Sequence, residues 1–407
     1  MNHKKTLLVA FVTIFLDLIG FGIIIPVQPF FAQMLGASPA SVTLLGASYS
    51  LMQFLFAPFW GRLSDKYGRR PIILIGVSSS VVGYLIFGLA ESLVILFAAR
   101  MLSGFGNANI AAAQAIIADI TTKENRAKGM GIIGAAFGLG FIFGPAIGGI
   151  AGQSGPQYPA FIAAGLGALN LVLAWFLLPE TRKETTTTHA RRGLFSLKAV
   201  FEHGPKLGAL FAVTLITILA FAIMEQIVGL YIEKAWVDPS LSSEEGIRRA
   251  TELTAYFLVA VGVMATLVQG GLIGRLSKRF SNYKIVVFSL LTIIVGLVLA
   301  PTMLNAQSMT LLLLSGVLFA LGMGLFSPSS IAFVSNNTNE ENQGELLGLN
   351  QSMAALGRVL GPAVAGSLFV ADASLPFYVA AILTAVAAVI AIRYLKKPTN
   401  MRGQDRF

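Results

Sequence analysis

Four charged side chains stand inside long apolar runs: Asp17 in FLDLIGFGIIIP (15–26), Arg100 in FAARMLSGFG (97–106), Glu225 in FAIMEQIVGLY (221–231) and Arg358 in GRVLGPAVAG (357–366). At the centre of a membrane-spanning helix an ionised carboxylate costs about 3 kcal/mol on insertion scales, so such a group faces the bundle interior, pairs with an opposite charge or carries a proton. Two acids and two arginines of this kind suit proton exchange and the binding of charged small molecules. Glu225 is the stronger candidate for the proton. It lies deep in its run, its neighbours are apolar except Gln226, and desolvation favours the protonated carboxyl, the condition for exchange near neutral pH. Asp17 lies roughly 16 Å from the start of the first run at 1.5 Å per residue. It serves either proton or substrate binding or a hydrogen bond that packs its helix. Arg100 needs an anion or backbone carbonyls as partners. Arg358 pairs with Asp17 or Glu225, or binds an anionic group of a substrate, and the residue types leave these alternatives open.

Other chemistries lack their residues. The chain has no cysteine, and His3, His189 and His203 lie in charged flanking segments without metal-ligand spacing, so no metal and no cofactor is expected. Neither GFGNAN (104–109) nor GLGFIFGPAIGG (138–149) has the strand context of a dinucleotide fingerprint, and no GxxxxGK[ST] phosphate loop occurs. No nucleophile–base pair stands out, which argues against an enzyme. Gln28, Gln53, Asn107, Gln114, Gln226, Asn350 and Gln351, set among abundant Phe, suit a greasy cavity with scattered polar anchors, shared with Asp17, Glu225 and Arg358.

The elements that must position these groups are transmembrane helices. Of 407 residues 55% are hydrophobic and 12% charged, with a mean hydropathy of +0.76, against about 25% charged residues in soluble domains. The alternating segments of about 10 residues that mark a membrane barrel are missing. Apolar stretches long enough for a ~30 Å hydrocarbon core run near 7–32, 42–61, 71–90, 93–118, 129–151, 158–179, 207–232, 252–274, 284–302, 307–334, 346–369 and 376–394. The first continues to about Phe31 with no small-residue cleavage pattern, so it reads as a span rather than a removable leader. With the N-terminus inside, 24 of the 29 Lys and Arg residues fall in cytoplasmic segments, as the positive-inside rule requires. The net charge of +10 is then a topology signal, not a nucleic-acid footprint, and both termini are expected in the cytoplasm.

The two halves repeat. GRLSDKYGRR (61–70) is echoed by GRLSKRFSNY (274–283), and GFIFGPAIGG (140–149) by GRVLGPAVAG (357–366), at offsets of 213 and 217. The expected fold is an all-α membrane protein of twelve transmembrane helices in two pseudo-symmetric six-helix bundles, 1–179 and 207–407, facing each other across a cavity. The Thr-rich, charged interval 180–206, with ETRKETTTTHARR, reads as a cytoplasmic linker. In the first copy Gly61 and Gly68 permit close approach and tight turning, and Asp65 suits the positive N-terminal end of a nearby helix. Gly140, Gly144, Gly148 and Gly149 let another helix approach closely, with Pro145 releasing the backbone locally.

LDLIGFGIIIPVQP (16–29), GRLSDKYGRRP (61–71), RMLSGFGNANIAAAQAIIAD (100–119) and GLGFIFGPAIGG (138–149), in that order, resemble the motifs of the major facilitator superfamily, specifically its twelve-helix drug/proton antiporters. The first half is similar to tetracycline efflux proteins and the second to quinolone and multidrug pumps. The resemblance implies a part in proton transfer for Arg100 and points to Glu225 as the coupling acid. It also implies a cytoplasmic latch. The acid at Asp65 contacts the start of the eleventh helix, and Arg69, beside Arg70, reaches Asp119, which stabilises an outward-open state. The second copy has Lys278 where Asp65 stands, so its latch is degenerate. GMGLFSPSS (322–330) lacks the further acid that such pumps often carry in the tenth span.

The sequence thus reads as a bacterial inner-membrane secondary transporter that exports hydrophobic, cationic or zwitterionic drugs in exchange for protons by alternating access. It is expected to confer antibiotic resistance and to work as a monomer in the lipid bilayer. Two alternatives stand beside this: a proton-coupled exporter of an anionic metabolite or lipid-linked molecule, which Arg358 favours, and a membrane receptor or enzyme on the same fold.

Overall fold

The computed structural model describes residues 3–107, 110–120, 126–181, 204–238, 240–338 and 343–396. Among the described residues each apolar stretch is helical over most of its length. The first span is α1 (His3–Ile24) and α2 (Gln28–Met34), separated at Pro26, whose missing amide cannot continue the ladder. Then follow α3 (Pro39–Tyr67), α4 (Arg69–Gly88), the fourth span as α5 (Leu93–Asn107) and α6 (Ile110–Ile120), α7 (Arg126–Gly152) and α8 (Tyr158–Leu177). The second half holds α9 (Pro205–Trp236), α10 (Ser243–Leu267), which continues through a π-helical turn into α11 (Ile273–Arg279), α12 (Asn282–Asn305), α13 (Met309–Asn336), α14 (Gln343–Ala371) and α15 (Leu375–Ile390). Ten of the helical segments are long and apolar enough to cross a membrane, and Leu93–Asn107 and Gly138–Gly152 add two shorter apolar stretches at the remaining places. Several helices outrun their apolar stretches because polar side chains cap them. The Ser38 hydroxyl accepts from the amide of Ser41 at the start of α3, and Ser242 and Glu245 form a reciprocal capping box that starts α10. Most of the interval expected as a linker, 182–203, lies outside the described residues.

Glycine sets how closely the helices pack. A Cβ built on Gly140 would stand 2.8 Å from the Cβ of Leu18, one on Gly144 2.6 Å from the Cα of Gly22, and one on Gly148 2.2 Å from the carbonyl oxygen of Ile23. No side chain fits along this stripe, so α7 lies backbone against backbone on α1. The same helix turns another face to the second half: Gly149 abuts Ala255, and the carbonyl of Phe141 fills the space beside Gly262, both on α10. The duplication reproduces both faces 217 positions on. Gly357 and Gly361 bring α14 onto α9 at Leu219 and Ala222, and Gly366 meets Ala40 and Thr43 of α3. Pro145 and Pro362 stand inside the two helices at the same register. The halves therefore meet along two equivalent seams, α7 with α10 and α14 with α3.

The seams differ along their length. At one end, here the far end, Gly149 meets Ala255, Gly152 meets Thr251, Gly366 meets Ala40, and the Gln33 amide donates to Glu233 across the halves at 3.0 Å. At the opposite, basic end, Gly61 on α3, Gly270, Gly271 and Gly274 in the eighth span and Gly348 on α14 all border open space, with no atom within 4 Å of an added Cβ. Among the described residues the two halves touch at the far end, whereas these glycines at the basic end border open space.

Candidate functional site

The charges converge halfway along the helices. Asp17 is 8% exposed and Arg100 4%, while Glu225, Gln226 and Arg358 are half-buried. Glu225 and Gln226 stand midway along α9, and Arg358 midway along α14. The guanidinium of Arg100 lies over the ring of Tyr49, 4.3 Å from its centroid, and that ring is stacked on Phe21, itself edge-on to Phe141. Tyr49 can be there because Gly104 has no side chain; a Cβ on it would stand 2.3 Å from the Tyr49 carbonyl oxygen. Tyr84 packs its ring on Gly20, one turn from Asp17. Among the described residues no ion pair joins Asp17, Arg100, Glu225 or Arg358 to another charge, and Arg100 Nε and Nη1 are buried with no hydrogen-bond partner. The carbonyl tether open to Arg100 on sequence grounds is not made by these two atoms; the aromatic face takes its place.

The alternatives left to Arg358 narrow. Glu225 is within electrostatic reach of Arg358 and of Arg100. Asp17 belongs instead to a first-half group with Tyr49, Tyr84 and Arg100. Glu225 thus stands in apolar surroundings with an arginine of each half nearby, the setting of a carboxyl that can exchange a proton. Arg100 is held by a ring rather than by a salt bridge, so it can change partners at small cost.

The polar anchors separate. Gln53 reaches the Asn107 carbonyl at 3.5 Å, and Gln226 lies against Gly46 of α3 at the seam. Asn350, expected in the cavity, is 5% exposed. It accepts from Thr214 at 2.8 Å, with Ser330 bonded to the same hydroxyl at 3.0 Å, so it ties α9, α13 and α14 together. Gln28, also expected there, is buried in α2 towards the far end, and Gln351 is exposed. The Gln114 side chain lies outside the described residues. Tyr49 and Tyr84, which sequence reasoning missed, stand among the charges. Their only signal was a hydroxyl inside an apolar stretch.

At the basic end the α3–α4 turn is built around Arg69. Its guanidinium bonds Asp119 at 3.2 Å and Ser64 at 2.8 Å, and pairs with Asp65. Arg70 lies over the Trp175 ring and donates to that residue's carbonyl. The expected triad is thus assembled within the first half. The Asp65 side chain is 61% exposed, and the first side chains of α14 lie outside the described residues. Glu180 is a further participant that sequence reasoning missed. Its carboxylate accepts from the amides of Arg69 at 2.9 Å and Arg70 at 3.2 Å, capping the N-terminus of α4. It occupies the space a side chain on Gly68 would need, 2.3 Å from that Cβ, and Gly68 turns at φ +108°.

Two pseudo-symmetric helical bundles facing each other across a charged interior define a polytopic membrane transporter. The chain belongs to the Major Facilitator Superfamily, whose sequence profile matches residues 10–243 and 239–406. It is 32% identical to the tetracycline resistance protein, class C, of Escherichia coli over 92% of each chain. It is 28% identical to multidrug resistance protein 1 of Bacillus subtilis, over 99% of this chain and 100% of that one. Its fold matches the human organic anion transporter MFSD10 with a TM-score of 0.71 at 22% identity, over 96% of this chain and 100% of the other.

Proposed function

We infer that the chain exports hydrophobic drugs of cationic or zwitterionic character across a bacterial inner membrane in exchange for protons. The observation that carries this reading is Glu225. It is a half-buried carboxyl at the opening between the halves, within reach of Arg100 from one half and Arg358 from the other. The tetracycline and multidrug resistance proteins among the relatives support the substrate class. The excess of Lys and Arg at the basic end supports placing that end, and both termini, in the cytoplasm. In that orientation the open side faces the cytoplasm and loads drug from within. Drug then competes with the proton for the carboxyl, and rocking along the two glycine seams exposes the cavity at the far end. A zwitterion fits the acid and Arg358 together. An anionic or lipid-linked cargo is the second reading, favoured by the lack of an ion pair on Arg358 among the described residues. One chain supplies both walls, so a monomer suffices.

The test is drug-driven proton flux in proteoliposomes. Wild-type protein is expected to acidify or alkalinise the lumen with drug added on the matching side. Glu225→Gln is expected to lower coupled flux by at least about a hundredfold, while drug binding changes by less than about tenfold. Coupled flux that survives the substitution removes Glu225 from the coupling role.

A further inference from the structure

The far-end closure contains a bond with an unused half. The Gln33 side chain of α2 donates through Nε2 to Glu233 Oε2 of α9 at 3.0 Å. The amide oxygen of the same Gln33 is buried, and among the described residues no donor reaches it. A primary amide and a carboxylic acid placed face to face make two hydrogen bonds, amide to carboxyl oxygen and acid O–H to amide oxygen. A primary amide and a carboxylate make only the first. The geometry points to Glu233 and Gln33 as a second proton-binding site, a clasp that fastens the two halves at the far end when Glu233 takes up a proton and donates it to Gln33 Oε1.

Three features support the assignment. The pair is the side-chain bond between α2 and α9, and it sits where the seams are tightest, with Phe30 of α2 against Gly229 one turn before Glu233. Both side chains are half-buried, so the acid is shielded yet open to protons from that side. The charged groups of this end among the described residues are Lys234 on α9, Asp238 after it, Glu244, Glu245, Arg248, Arg249 and Glu252 on α10, Asp372 after α14 and Glu91 after α4. Arg249 is taken up by Glu252 at 3.1 Å, and none of these groups acts on Glu233, whose surroundings are its burial and the Gln33 amide. Ionised, Glu233 keeps one charge-assisted bond but leaves a carboxylate without a cation at an apolar seam. Protonated, it fills the orphan acceptor, and an unfilled buried acceptor is what most weakens such a contact. Closure and proton uptake therefore favour each other, and acidification favours the closed far end. The clasp rests on the exporter reading: a proton arriving from outside would commit the emptied carrier to its cytoplasm-open form.

The chain has no cysteine, so thiols introduced at the exposed Gln153 and Leu241, on opposite sides of the α7–α10 seam at this end, carry the only spin labels. Distance distributions are recorded without drug from about pH 8 to about pH 5, a range that covers shifted carboxyl groups. In the labelled parent, acidification is expected to raise the ratio of short to long distances about fivefold, the effect of one buried hydrogen bond. Gln33→Ala is expected to remove most of that response. Glu233→Gln, whose amide makes both bonds without a proton, is expected to hold the short distance across the whole range. A pH response of equal size in the parent and both variants puts the titrating group elsewhere and overturns the clasp. Because this readout needs no drug, it fails independently of the flux experiment on Glu225.

Discussion

The fifth and eleventh spans, α7 and α14, are two copies of one helix that have kept their packing and parted in their chemistry. Each lays a stripe of glycines on the first span of its own half, Gly140 and Gly144 on α1, Gly357 and Gly361 on α9. Each turns a further glycine, Gly149 or Gly366, to a helix of the other half. Between these glycines the copies differ by a charge, for Phe141 occupies one and Arg358 the other. Phe141 extends the aromatic stack of Phe21 and Tyr49, whereas Arg358 stands within reach of Glu225. A rocking motion needs two equivalent seams, and shape alone supplies those. Coupling needs an asymmetry, because a proton bound on one side must mean something different from drug bound on the other.

If the stripes are equivalent, they break equivalently. Gly144→Val and Gly361→Val are each expected to destabilise the purified protein by about 3 kcal/mol, at the upper end for overpacking. At these sites the obstruction is largely backbone, Gly22 in one copy and Leu219 with Ile223 in the other, and backbone cannot rotate away. Thermal unfolding in detergent measures it, with transport expected to vanish in both variants. A large loss in one copy beside a near-neutral change in the other breaks the comparison.

The next largest effect comes from making the copies alike. Arg358→Phe gives the eleventh span the residue of the fifth, and is expected to cut drug efflux about tenfold, roughly 1.4 kcal/mol at the rate-limiting step. Unfolding temperature should change little, since no ion pair among the described residues is lost. The reciprocal Phe141→Arg places an unmatched cation beside Tyr49, already covered by Arg100, and is expected to reduce efflux at least as much. Efflux at wild-type rates in Arg358→Phe, measured in everted vesicles, would leave the charge difference without a role in coupling.

The sequence carried the fold because a membrane makes the rule simple: a helix must be apolar for its whole passage, and the chain is so twelve times. Helix ends were less legible. They depend on local caps such as Ser242 with Glu245 and on the break at Pro26, which hydropathy does not register. Within the site, Asp17, Arg100, Glu225 and Arg358 were visible because a charge in an apolar run is costly wherever it points. Tyr49 and Tyr84 were not, since an aromatic in such a run is ordinary until the fold places it on an arginine or opposite a glycine. Asn350 misled for a related reason. An amide inside a span is equally at home facing a cavity or stitching helices, and Thr214 and Ser330 decide for the second. Glu180 and the Gln33–Glu233 pair needed contacts across 111 and 200 positions of chain, which spacing cannot supply.

The smallest expected effect concerns the other repeated element, the turn that joins the second and third spans of each half. In the first copy Asp65 pairs with Arg69, which reaches Asp119, and Glu180 clamps the turn from behind. The second copy has Lys278 at the position of Asp65, and its helix α11 ends with side chains exposed. An exposed ion pair contributes about 1 kcal/mol at most, so Asp65→Asn should leave folding and drug affinity nearly unchanged in the form seen here. Its proposed work lies in the other state, where the carboxylate meets the positive end of α14 as the basic end closes. Turnover is therefore expected to slow about threefold to fivefold while binding of drug holds, a separation that loss of fold does not produce. Lys278→Asn, which touches no such contact, is expected to change neither by more than about twofold. Equal slowing in the two variants would mean that the turns act through net charge rather than through a latch, and that the copies differ less here than their residues suggest.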